Sequence, residues 1–146
     1  MKDNINWARV FGGGLLAGFV INVGEFILNV PILGVEFAEI MAGMNREPPG
    51  PGAIMIFVMI AFAIGILAVW LYAAIRPRFG PGAQTAVCAG LTVWTLGWLF
   101  PNISFLAMGF FPAKLLVIAT LWSLVEVTLG AVAGAWLYKE SNRPAS

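Results

Sequence analysis

Between Ala53 and Ala74 the chain carries no charged side chain. Crossing the hydrocarbon layer of a bilayer, roughly 30 Å thick, takes about 20 mostly apolar residues in a helix, and this stretch supplies them. Further stretches of the same character run from about Ala8 to Val30, from Gln84 to Phe100 and from Ala113 to Tyr138. Backbone inside hydrocarbon must satisfy its own hydrogen bonds, which makes helix the expected state of apolar runs this long. The sequence therefore predicts an all-α fold, an integral membrane bundle of four transmembrane helices. It forms a single domain over residues 1–146, with spans at about 8–30, 53–74, 84–100 and 113–138.

Composition narrows what such a bundle can do. Hydrophobic residues make up 60% and charged residues 10% of the chain, against roughly 45–50% and 25% in soluble domains. The net charge of +1, without a basic run, argues against a nucleic-acid partner. Cys88 is the single cysteine, so no disulfide forms within the chain. Histidine is absent, which removes the commonest metal ligand, the usual haem ligand and the base of Ser-His and Cys-His nucleophiles. Neither a metal site, a cofactor nor an enzyme is expected. The first apolar run is too long for a signal-peptide core and is expected to be retained.

The span ends carry turn and interface signals. Asn4 or Asn6 is placed to cap the first helix, and Pro31 is expected to end it. The segment VEFAEIMAGM at 35–44 sets apolar residues among Glu36 and Glu39 and predicts a short interfacial helix between the first two spans. NREPPGPG at 45–52 reads as loop. NISFLAMGFFP at 102–112 is too apolar for an open loop, so it is expected to stay at membrane depth or to continue the third helix past a kink at Pro101.

Lysine and arginine collect on the cytoplasmic side of membrane proteins. In a four-span arrangement Lys2, Arg9, Arg76, Arg78, Lys139 and Arg143 share one side, leaving Arg46 and Lys114 on the other. Both termini are therefore expected in the cytoplasm, in a multi-pass protein of a bacterial-type inner membrane. WLY recurs at Trp70–Tyr72 and Trp136–Tyr138, and the tryptophans read mostly as interfacial anchors. Trp94 and Trp98 share a helix face that suits a hydrophobic ligand.

The costly groups are few. Asn22, Glu25 and Asn29, spaced three and then four, share one stripe of the first helix, with Gly14 and Gly18 on nearly the same stripe. The last span contributes Ser123 and Glu126, and its Gly130 and Gly134 have the small-xxx-small spacing of close helix contacts. A charge facing lipid at mid-bilayer costs several kcal/mol. Each glutamate is thus expected to turn inward, take a partner or stay protonated, with the asparagine amides bonding Glu25. Asn22, Glu25, Asn29, Ser123 and Glu126 form the candidate ion- or ligand-binding set, and Gly14, Gly18, Gly130 and Gly134 the packing set.

Weaker signals have blander explanations. Glu36, Glu39 and Glu47 suit a solvated connection. GGGLLAG at 12–18 has neither the preceding strand nor the following Lys of a phosphate loop. The methionines lack the Cys or His partners of a soft-metal site. The expectation is a non-catalytic membrane module, either self-associating as a homo-oligomer or an accessory subunit among other membrane proteins, with the lipid bilayer as its solvent. The alternative is a small proton, cation or solute transporter using Glu25 and Glu126.

Overall fold

The computed structural model describes residues 5–139. Lys2, Asn4 and Arg143, invoked above for charge or capping, lie outside the described residues. Helix α1 (Trp7–Ile27) starts at Asn6, whose Oδ1 accepts the Arg9 N–H at 3.3 Å. Pro31 does not end it. A π-helical turn at Leu28–Ile32 carries the helix onward, because Leu33 N–H bonds Leu28 O at 2.8 Å and so bypasses the donor that proline lacks. The chain then enters the short helix α2 (Gly34–Gly43).

Helix α3 (Pro51–Phe79) begins on a proline, whose missing N–H costs nothing in a first turn. It runs past Ala74 and through Pro77, with Arg76 and Arg78 in its last turn, where the helix dipole favours cations. Gly80, at φ 84, stops it. The third long element joins α4 (Ala83–Trp94), a π-helical turn (Thr95–Leu99) and α5 (Phe100–Met108). Of the two outcomes expected for the segment after Pro101, helix continuation is the one formed: the turn shifts the Phe100 N–H onto Thr95 O just before the proline. Gly109, left-handed at φ 69, ends α5. Helix α6 (Ala113–Leu137) is the last helix among the described residues. Four helical stretches, Trp7–Ile32, Pro51–Phe79, Ala83–Met108 and Ala113–Leu137, are long and apolar enough to span a membrane.

Glycine sets how closely these helices approach. Gly14 and Gly18 of α1 lie against the backbone of Ile66 and Phe62 in α3. In return, a Cβ on Gly65 would fall onto Gly18 N and within 2.5 Å of Gly14 O. Gly13 and Gly134 press α1 against α6 backbone to backbone, and a Cβ on Gly130 would meet Ala17 O at 3.0 Å. Gly90 of α4 sits over Ala131 and Thr128 of α6. Rising numbers on α1 meet falling numbers on α3 and α6, so α1 is antiparallel to both. The interior holds small residues such as Ala17, Ala68, Ala86, Ala89 and Ala131. Large apolar side chains, among them Phe11, Leu15 and Phe19 of α1 and Val117, Leu121, Val125 and Leu129 of α6, line the outside. Small inside and large outside is the pattern of helices whose solvent is hydrocarbon.

The two WLY segments meet at one end of the bundle, and each divides its residues. Trp70 and Trp136 are exposed, whereas Tyr72 and Tyr138 are buried and pack edge to face at 5.9 Å. Tyr72 thus packs within the bundle, and its hydroxyl accepts the Gly82 N–H at 3.3 Å. The Tyr138 hydroxyl accepts the Asn6 N–H at 3.2 Å, and the Arg76 guanidinium lies 5.8 Å from the Tyr138 ring centre.

Because Gly65 has backbone on the far side of its missing Cβ, Gly65→Leu should destabilise the bundle by at least about 1–3 kcal/mol, as overpacking generally does. Gly12→Leu, where nothing lies within 4 Å, should leave it unchanged. Thermal unfolding of both variants in the same detergent measures the contrast.

Candidate functional site

One turn before the π-helical break in α1, Gly24 leaves a gap that the Glu126 side chain of α6 enters. A Cβ on Gly24 would fall on Glu126 Oε2. Glu126 is 5% exposed, and its carboxyl group lies within hydrogen-bonding reach of the half-buried carboxyl of Glu25. The acids of the first and last apolar stretches thus converge from different helices.

Side-chain N–H groups surround this pair. The Trp98 indole, on the π-helical turn between α4 and α5, donates to Glu25 Oε1 at 3.3 Å. Asn29 donates to Glu25 Oε2 at 2.7 Å and to Glu25 O at 2.9 Å. The Trp122 indole, one turn before Glu126 in α6, donates to Glu126 Oε2 at 3.1 Å and to Gly24 O at 3.0 Å. Glu126 Oε1 has no donor. The π-helical turn matters here, because an extra residue in one turn rotates the following side chains and re-aims them.

The candidate set divides. Glu25, Asn29 and Glu126 come together. Asn22 does not join them: its amide donates to Gly18 O at 2.9 Å and Val58 O at 3.3 Å, so it fastens α1 to α3 along the Gly14–Gly18 face. The single stripe expected for Asn22, Glu25 and Asn29 splits because α1 is packed on both sides, by α3 on one and α6 on the other. Ser123 serves a neighbouring layer, accepting from the Trp94 indole at 3.1 Å and donating to Thr120 O at 3.0 Å. Gly14 and Gly18 face α3, and Gly130 and Gly134 face α1.

Spacing alone does not name Trp98, Trp122 and Gly24 as partners of the acids. The Trp94 and Trp98 indoles point into the bundle, onto Ser123 and Glu25. The signal was present: an indole N–H buried in an apolar segment needs an acceptor, and Trp122 precedes Glu126 by one helical turn. Acceptors across the bundle, as for Trp98, have no local signature.

A cavity of about 150 Å³ opens beside Asn29, lined also by Asn102, Phe37, Phe105, Phe111 and Leu115 among others, with neither acid in its wall. Asn29 thus faces the cavity and bonds Glu25. Asn102 donates to Thr120 Oγ1 at 2.8 Å. Above it, Lys114 and Glu36 form an exposed ion pair at 3.9 Å between α6 and α2, a contact worth little. No protein-family model, curated protein or solved structure matches this chain.

Trp122→Phe keeps the ring and removes the N–H shared by Glu126 and Gly24 O. Stability should fall by about 1–3 kcal/mol, the cost of leaving a buried acceptor unsatisfied. Trp136→Phe, at an exposed position, should cost nothing measurable, and unfolding titrations of the two proteins check the difference.

Proposed function

We propose that this protein is a non-catalytic integral membrane module that associates with itself. The observation that carries this is an open, shallow groove along α4 and the start of the π-helical turn, lined by Gln84, Val87, Cys88, Leu91, Thr92, Thr95 and Leu96. Leu96 extends the apolar part of this lining, the Thr92 and Thr95 hydroxyls bond the Cys88 and Leu91 carbonyls of their own helix, and the small side chains among them let a second helix approach closely. Within one chain the corresponding groups are turned inward, where glycine contacts and the carboxyl–indole network fasten α1, the third span and α6. The start of α3 adds support, since every side chain from Ile54 to Ile60 is exposed, while the Asn22 amide of α1 reaches the Val58 carbonyl.

The proposed topology has both termini on the cytoplasmic side. Arg9, Arg76, Arg78 and Lys139 gather at the end of the bundle that holds Tyr72 and Tyr138, and Arg46 and Lys114 lie towards the other, as the distribution of positive charge in membrane proteins favours. In that topology α2 lies along the outer interface and the carboxyl pair sits in the outer half of the membrane.

Cys88 is exposed and lines the groove, so it reports on the association directly. Mild oxidation in native membranes should yield a covalent dimer, and Cys88→Ser should yield none. A protein that runs as a monomer by native mass spectrometry across lipid ratios, and never cross-links, would defeat self-association.

A second reading, transport of a proton, cation or small solute, is favoured by one observation: the cavity reaches Asn29, which holds Glu25. On that reading Glu25→Gln abolishes flux in liposomes while assembly survives, and wild-type flux in the variant would remove the role.

A further inference from the structure

We infer that the Glu25–Glu126 pair is a proton-binding site, in which Glu126 Oε1 carries one exchangeable proton hydrogen-bonded to Glu25. The inference is independent of the α4 groove and rests on matching donors to acceptors. The pair presents carboxyl oxygens Glu25 Oε1, Glu25 Oε2, Glu126 Oε1 and Glu126 Oε2. Trp98 serves the first, Asn29 the second and Trp122 the last. Glu126 Oε1 alone is left without a donor, in a side chain that is 5% exposed and beside a second carboxyl group. A buried acceptor without a partner costs about 1–3 kcal/mol, and more for a charged group. One proton removes that cost, because Oε1 then becomes the donor that its neighbour accepts. Paired carboxyl groups sharing a proton is the expected chemistry of like charges held this close.

The charged groups around the pair offer no other resolution. Among the described residues, the third span from Ala83 to Met108 contains none. In α3 the first is Arg76, at the far end against the Tyr138 ring. On α1 the other is Arg9, also at the far end. Lys114, at the start of α6, faces Glu36 of α2, and Glu39 is exposed on α2. A divalent cation such as Ca²⁺ is a poorer fit than a proton, since it takes 6–8 oxygen ligands and three of these four oxygens already accept N–H donors. No third acidic, histidine or cysteine side chain joins the pair among the described residues.

Release breaks the Glu126 O–H bond, leaves its electron pair on Oε1 and passes the proton to water. Two carboxylates then face each other across the α1–α6 seam. The cavity beside Asn29 is the route for that water, being the space that reaches a direct partner of Glu25. The Phe105 and Phe111 rings, 5.8 Å apart and edge to face, form part of its wall.

Infrared difference spectroscopy of the full chain in lipid nanodiscs tests the inference. Wild type should show a protonated-carboxyl carbonyl band that shifts in D₂O and disappears as the medium is made alkaline. Glu126→Gln, whose amide supplies the missing donor without a titratable proton, should lose that band, while Glu36→Gln keeps it. Absence of the band from wild type at every pH, or its persistence in Glu126→Gln, would overturn the proposal. Carboxyl-¹³C labelling of glutamate reads the same titration in wild type, should the variant fail to fold; glutamates all ionised throughout the neutral range would be the contrary result. Ala119→Phe, which fills the cavity, should slow the D₂O shift, and an unchanged rate would overturn the cavity as the route. A protein that shows the band yet never cross-links through Cys88 loses only self-association.

Discussion

Hydrocarbon offers no hydrogen bonds, so a polar group that enters this bundle has to find its partner on the protein. That constraint organises the interior. The indoles of Trp94, Trp98 and Trp122 and the amides of Asn22 and Asn29 all end on acceptors within the chain, several of them on another helix. Each cross-helix bond fixes a rotation as well as a distance. A helix turned by one residue would aim its carboxyl group at lipid, with a cost of several kcal/mol.

These bonds are reachable only because the backbones come so close. Gly13, Gly14, Gly18, Gly24, Gly65, Gly130 and Gly134 remove the side chains that would hold α1 away from α3 and α6. Gly24 shows the link between packing and chemistry most directly, since the space left by its missing Cβ is occupied by the Glu126 carboxyl group. Packing and polar chemistry meet at that residue. The π-helical turns act alongside: each accommodates a proline within a long helix, and the second carries Trp98.

Much of this was legible in particular residues. The uncharged run from Ala53 to Ala74 announces a helix of membrane length, and Asn6 announces its cap on α1. Glu25 and Glu126 stand out because acids are expensive in such surroundings, and Asn29 because it follows Glu25 by one helical turn. The helix ends were less legible: Pro31 read as a break, and continuation past Pro101 was one of two readings, yet both helices continue, because an i→i+5 turn bypasses the N–H that proline lacks. Asn22 was assigned to the wrong neighbour. Its spacing to Glu25 is correct for one face, but a helix packed on two sides divides such a face between different partners.

What the sequence determined by itself is the class of solvent and the class of element, because apolar length and the scarcity of charge are properties of the chain read in order. The tertiary structure alone decided that Glu25 and Glu126 adjoin, that Trp98 and Trp122 serve them, and that Glu126 Oε1 is left one donor short. The acids lie in the first and last spans, and Trp98 lies in the third. No local periodicity relates positions so far apart. Their meeting depends on how closely the glycine faces let the helices approach and on the rotation at which they lock.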